Sequence, residues 1–247
     1  MTFVDKPLSY KEKREFRYSL QDYMLGFFAF ESLRGRLVLD LGSGSGIDSC
    51  EMIKHGAEVV SVDFSPLSCK STKALLVETG FPGNVVMADA RYLPLRSDQF
   101  DVIYSFGVIH HIPEISRVVR EVSRCLREDG EFLGMVYHRD SLLYAYSLLY
   151  LHGIREGLFS KGSTEQEIAS RFSERKEDNP YTKCYTKGEL EDLLHQFFDF
   201  ADARIFYNVI DTLQARKIKF RLENLSTDLG WHLAFKATKR KQLTMTE

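Results

Sequence analysis

Two rhythms of apolar and polar positions alternate along the chain. One is the short, nearly continuous apolar run: Leu37-Val38-Leu39-Asp40-Leu41, Glu58-Val59-Val60-Ser61-Val62-Asp63 and Asn84-Val85-Val86-Met87-Ala88. Runs this short, rich in leucine and β-branched residues, fit strands buried within a parallel sheet. The other is helix-compatible sequence between them, at 48–54, 67–79 and 115–126, with His55-Gly56 and the turn at 80–83 as stops. A fourth strand within 91–112 and a fifth ending at Tyr137 and His138 continue the alternation. Strand and helix in regular turn predict an α/β fold, a doubly wound, mostly parallel sheet.

The flanks follow other patterns. In 8–34, Tyr23, Phe27 and Phe30 recur at helical spacing, which predicts a helix packed on the first strand. Tyr10, Phe16 and Tyr18 precede that stripe and are candidates for an aromatic lid over a site. Residues 139–185 form an insertion, with an apolar aromatic helix at 142–151, a second helix at 164–172 and a charged, turn-rich loop at 174–180. It either caps a site or completes the hydrophobic exterior. Thr186, with Glu189 three residues on, reads as the cap of a helix at 188–198. A strand is expected at 203–209, and then a charged amphipathic excursion at 211–228 that includes Arg216, Lys217, Lys219 and Arg221. Trp231-His232-Leu233-Ala234-Phe235-Lys236-Ala237 reads as an antiparallel last strand, followed from 239 by a disordered tail. The expectation is one domain over 1–247, divided into a helical lid (8–34), a core (37–138), a cap (139–185) and a sheet-completing segment (186–239).

Composition narrows the function. The chain has 247 residues, a formal net charge of −2 and no basic stretch that advertises nucleic acid or an anionic membrane. Cys50, Cys69, Cys125 and Cys184 are irregularly spaced, with neither a zinc nor a redox CxxC pattern, so a reduced cytoplasmic setting is expected. The N-terminus lacks the apolar core of a signal peptide. The most apolar stretch, 141–154, is too short to span a bilayer and is broken by His152 and Gly153.

The candidate chemistry clusters at strand ends. The first strand runs into Gly42-Ser43-Gly44-Ser45-Gly46 and then a helix. Glycines at every second position let backbone approach a ligand, and the loop N–H groups with the helix N-terminus favour an anionic group. Asp63 closes the second strand, where a carboxylate accepts from both hydroxyls of a ribose, or instead caps the helix near Ser65-Pro66. Asp89-Ala90 closes the third, where the carboxylate and the next N–H suit adenine, or form a turn. His110 and His111 follow the fourth strand; one of them would act as general base, or both would be packing and capping residues. No carboxylate accompanies them at metal-ligand spacing, so no metal is expected.

Four elements in order resemble a class I S-adenosylmethionine-dependent methyltransferase of the small-molecule kind, akin to methyltransferase type 11. They are the D-L-G-x-G-x-G loop, Asp63, Asp89-Ala90 and the L-P-L…F-D-V-I…H-H segment, together covering 37–136. The third glycine sits one position short of the nicotinamide dinucleotide fingerprint, where this chain has Ile47. The resemblance implies a seven-stranded sheet and the cofactor S-adenosyl-L-methionine. It assigns Asp40, Gly42, Ser43, Gly44 and Gly46 to the methionine end, Asp63 with Phe64 to the ribose, Asp89 with Ala90 to adenine, and Ser105 and Phe106 to the amino-acid portion. His110 and His111 become catalytic candidates, and Tyr10, Tyr18, His111, Tyr137 and His138 substrate-binding ones. The implied reaction moves a methyl group to an O or N nucleophile of a small-molecule acceptor, with no nucleic acid or membrane partner, and a homodimer is an arrangement it allows. The alternatives are a cofactor-binding partner subunit without activity, and a protein or peptide methyltransferase.

Overall fold

The computed structural model describes residues 8–174, 181–206 and 227–241. Seven strands form one sheet in the order β3-β2-β1-β4-β5-β7-β6. They are β1 (Leu37–Leu41), β2 (Glu58–Asp63), β3 (Asn84–Met87), β4 (Phe100–Phe106), β5 (Leu126–Tyr137), β6 (Phe198–Phe206) and β7 (His232–Lys239). β7 runs antiparallel to both β5 and β6, as the sequence led us to expect, and the other pairings are parallel. Chain order reverses between β1 and β4, so the helices leaving these strands part to opposite faces and open a crevice at the strand carboxyl ends.

Period-two alternation sends successive side chains into two core layers. Leu39, Leu41, Phe100, Ile103, Phe132 and Val136 pack on one face with Val118, Val119 and Val122 of α5 (Ile115–Cys125) and Leu190 and Leu194 of α7 (Lys187–His195). Val38, Val59, Val102, Tyr104, Leu133 and Met135 pack on the other, under α2 (Tyr23–Phe28) and Met52 of α3 (Ile47–Lys54). Between β2 and β3 lies α4 (Pro66–Thr79), with Ser65 as N-cap, Pro66 in its first turn and Gly80 at φ +69° closing it.

The flanks depart from the expectations. Instead of one N-terminal helix there are two, α1 (Tyr10–Leu20) and α2, and Ala29 in the left-handed region (φ 48°) ends the second. Met24, Phe28, Phe30 and Leu33 are fully enclosed, so 23–33 is the core layer that the Tyr23, Phe27 and Phe30 spacing predicts and not part of a lid over 8–34. β6 begins at Phe198, five residues before the expected strand, because Phe198, Phe200 and, past a bulge, Ala203 pair with β7 and pack on the core. The helix before it accordingly stops at His195; its Thr186–Glu189 capping box is present (2.9 and 3.1 Å). β5 is irregular just before Gly130: its pairing with β4 slips between Phe100 opposite Leu126 and Val102 opposite Glu131, and Asp129 takes φ 58°.

The first insertion helix, Leu143–Arg155, is π-helical: the Glu156 N–H bonds the Leu151 carbonyl five residues back at 2.9 Å. Gly153 lets Phe159 pack directly on its backbone, since a Cβ there would lie 2.1 Å from the ring. Together with α6 (Glu165–Phe172) it encloses Tyr144, Leu148, Ile168, Ala169, Cys184 and Trp231, a small core over the ends of β5 and β7. Residues 211–226 of the excursion expected at 211–228, 175–180 of the loop expected at 174–180, 207–209 of the sixth strand and 242–247 of the tail expected from 239 lie outside the described residues, while Lys239 itself ends β7.

Candidate active site

The glycine loop is fixed by its own backbone first. The N–H groups of Gly42 and Ser43 both donate to the Val62 carbonyl (2.7 and 3.0 Å), bending the chain over β2 as β1 ends. Gly42 (φ +87°) lies where a Cβ would come within 2.2 Å of Val108 Cγ2, and Gly46 (φ +82°) where one would come within 2.9 Å of Thr72 Cα. Gly44 (φ +55°) faces open space, and its N–H donates to Asp63 Oδ2 at 2.9 Å. Asp63 also accepts from the Ser65 N–H (2.8 Å), so one carboxylate ties the loop to the start of α4 and still has lone pairs toward the crevice.

Two clefts meet at this loop. The wider, about 530 Å³, is lined by Asp63, Phe64, Asp89, Ala90, Val108 and His111 among others. Asp89 is gripped from the side by Arg91, whose Nη2 lies 2.6 Å from Oδ2 and whose Nη1 reaches Glu114 at 2.7 Å; these hydrogen bonds hold the Asp89 carboxyl below its ordinary pKa. The narrower cleft, about 310 Å³, is lined by Asp40, Gly42, Gly44, Asp48, Phe106 and Arg17. Gly42, Asp63, Gly107 and Val108 border both. Asp40 is buried and bonded by the Ser49 hydroxyl (2.5 Å), and burial with the nearby Asp48 charge pushes its pKa up to about 7. Arg17 enters from α1, its Nη2 2.7 Å from Asp48 Oδ2 and its guanidinium 4.5 Å from the centre of the Phe106 ring.

A wide cleft edged by carboxylates suits a nucleoside, and a narrow one with buried carboxylates and a guanidinium suits an amino-acid zwitterion. The comparisons agree. A family model described as a methyltransferase domain matches residues 39–134. The ubiquinone biosynthesis O-methyltransferase of Stutzerimonas stutzeri is 26% identical over 119 residues, which are 48% of this chain and 51% of that protein. The match thus spans about half of that relative's length. A Pyrococcus horikoshii protein of known crystal structure superposes with a TM-score of 0.64 at 20% identity, over 93% of this chain and 92% of its own. An S-adenosylmethionine-dependent methyltransferase from Mesorhizobium loti superposes at 0.59 and 19% identity, over 88% and 99%. Residues 39–134 thus resemble a methyltransferase domain, and the fold is one shared with a solved S-adenosylmethionine-dependent methyltransferase.

A methyltransferase domain of this fold implies the cofactor S-adenosyl-L-methionine, and the residues present fit it: acids at the ends of β1 and β2 and just beyond β3, a glycine loop with one open position, and a zwitterion cleft. Of the residues singled out from sequence, Asp40, Gly42, Ser43, Gly44, Asp63, Phe64, Asp89, Ala90 and Phe106 line the clefts. Gly46 and Ser105 do not. Gly46 packs on α4, and the Ser105 hydroxyl donates to the Leu41 carbonyl (2.9 Å), joining β4 to β1.

The residues singled out from sequence for catalysis or substrate binding separate more sharply. His110 is fully buried, neither ring nitrogen has a partner among the described residues, and burial drives its pKa well below the usual value. It is a neutral packing residue between the rings of His111 (4.2 Å) and Tyr137 (4.1 Å). His111 lines the wider cleft, with Nδ1 3.0 Å from both the Tyr181 carbonyl and Thr182 Oγ1. His138 turns inward, its Nδ1 3.0 Å from the Gly230 carbonyl. Tyr10 and Tyr18 lie outside both clefts, because their hydroxyls serve buried acids of α3: Tyr10 donates to Glu51 (3.1 Å) and Tyr18 to Asp48 (3.0 Å). Tyr137 sits at the base of the cap, stacked on Trp231 at 4.4 Å, with its hydroxyl on Glu174.

Arg17, Asp48, Arg91, Val108 and Glu174 went unread from sequence. None belongs to a motif, although Arg17 stands four residues from Lys13 and Gln21 on a helix whose charges had no evident partner. Among the described residues no cluster of three or more His, Cys, Asp or Glu is placed to hold a metal ion, and no helix is long and apolar enough to cross a membrane.

Proposed function

We propose that this protein methylates a hydroxyl oxygen of a small-molecule acceptor at the expense of S-adenosylmethionine, releasing S-adenosylhomocysteine. The observation that carries the reading is the two-part cleft at the switch point, acidic at the nucleoside side and zwitterion-complementary at the other, with an accessible histidine at its rim. The name of the Stutzerimonas relative favours oxygen over nitrogen as the nucleophile.

In this reading Asp63 receives the ribose hydroxyls, and Asp89 with the Ala90 N–H receives the adenine edge. Asp40 faces the ammonium and Arg17 the carboxylate of the methionine end. The cofactor supplies an electrophilic methyl group on a sulfonium that leaves as a neutral thioether. What the chain must add is alignment, exclusion of water and a place for the acceptor's proton. His111 provides the last. A carbonyl oxygen only accepts, so the contact to Tyr181 places the ring proton on Nδ1 and leaves the Nε2 lone pair to take the proton as the oxygen attacks. Four free cysteines suit a reducing, cytoplasmic setting.

The test is a panel of hydroxylated and amine acceptors incubated with the protein and S-adenosylmethionine, read by S-adenosylhomocysteine release. Turnover is expected on a hydroxylated acceptor, with His111→Gln lowering kcat about 10²–10⁴-fold while cofactor affinity is kept. Turnover confined to amines, or an unchanged kcat in His111→Gln, would refute the assignment.

A further inference from the structure

His111 does not face the acceptor side alone. Its Nε2 lies 3.7 Å from Glu174 Oε1, a carboxylate brought in by the cap just after α6. The same oxygen accepts the hydroxyl proton of Tyr137 at the end of β5, 37 residues earlier in the chain. The two side chains are only 18% and 23% exposed, so water screens them less than it would a surface pair. We propose that Glu174 is a positioning residue that makes His111 an effective base, so that the cap contributes to proton transfer as well as covering the site.

The argument is one of charge states. With its proton on Nδ1, neutral His111 has only a lone pair at Nε2 and gains nothing from the nearby carboxylate. Once Nε2 has taken the acceptor's proton, the imidazolium is held on both sides, by Glu174 at Nε2 and by the Tyr181 carbonyl and Thr182 hydroxyl at Nδ1. An opposite charge at this separation favours the protonated form. Among the described residues, two other groups pack on the ring without competing for its charge. His110, from the same loop, is buried and neutral, and the Tyr137 ring (5.9 Å, perpendicular) meets His111 by its edge or face while its hydroxyl holds Glu174 in place.

This rests on the methyl-transfer reading, and the experiment keeps the two apart. Protein labelled with [13Cε1]histidine is titrated by NMR, the His111 signal being assigned by its loss in His111→Gln, and S-adenosylhomocysteine binding to the wild type is measured separately. The wild-type His111 midpoint is expected above the ordinary value of about 6.5, falling by about one pH unit in Glu174→Gln and by less in Glu174→Asp. A wild-type midpoint at or below about 6.5, or one that Glu174→Gln leaves unmoved, would overturn the proposal while leaving the function intact. Failure of the wild type to bind S-adenosylhomocysteine would instead overturn the function and this role with it. Should Glu174→Gln fail to fold, the wild-type midpoint and the Glu174→Asp shift decide.

Discussion

Asp40 sits enclosed at the end of β1 with its pKa pushed up to about 7 by burial and by the Asp48 charge. Its folded value lies above its unfolded one, so in the free protein this carboxyl takes up a proton as pH falls through 7. The stability it contributes in the protonated form is lost as pH rises from about 4 to about 7. An ammonium group bound beside it reverses that preference, since the carboxylate is then the favoured form. Cofactor affinity should therefore weaken as pH drops below about 7, by up to about tenfold per unit, and should level off toward pH 8, where an α-amino group itself begins to lose its proton. Asp40→Asn should bind more weakly at pH 8 and show a flatter profile. Calorimetric titration with S-adenosylmethionine across pH 5.5–8 checks this, and an identical pH dependence in wild type and Asp40→Asn would contradict it.

Among the elements, α1 depends most on charge. It lies on α3 through Glu51, whose buried carboxylate accepts two hydrogen bonds from Arg14 and one from Tyr10, and through Arg17 on Asp48. Burial alone would raise the Glu51 pKa, but the Arg14 hydrogen bonds and charge outweigh it and hold it near 2. A depressed folded pKa contributes stability that is fully present above about pH 4.5 and lost as pH falls toward 2. Glu51→Gln should cost roughly 2–3 kcal/mol at pH 7, seen as a lower Tm, and should flatten the acid limb of the stability curve. A Tm within about 1 °C of wild type would contradict the anchoring role. The same helix shows where sequence reading stopped. Tyr10 and Tyr18 read as lid aromatics because their ring character is visible in a sequence and their hydrogen-bond partners are not. Those partners, Glu51 and Asp48, are acids on the polar-looking side of another helix. Strands β1 to β4 were legible because each carries its own apolar run and ends in a residue with a constrained task. β6 was misplaced because the Phe197-Phe198-Asp199-Phe200 stretch suits a helix end as well as a strand start, and only pairing with β7 decides.

At the scale of the molecule, the reversal of strand order between β1 and β4 sets the clefts, and the insertion packs a second small core over the ends of β5 and β7, on the side proposed for the acceptor. The first half was open to sequence because glycine spacing and strand-end acids are local. The second was closed because it is built from contacts that span long stretches of chain: His111 with Thr182, Tyr137 with Glu174, Tyr23 with His232 (2.8 Å). His110 and His111 are adjacent in sequence, yet one is sealed in the core and the other stands on the cleft, a difference that only the surrounding fold creates. The central claim, that this switch point holds S-adenosylmethionine, is tested most directly by calorimetric titration of the intact protein beside Asp63→Ala. The account predicts binding in the micromolar range that the variant, still folded by circular dichroism, weakens by at least about tenfold through the lost ribose hydrogen bonds. Equal affinity in both proteins, or no binding by the intact one, would contradict it.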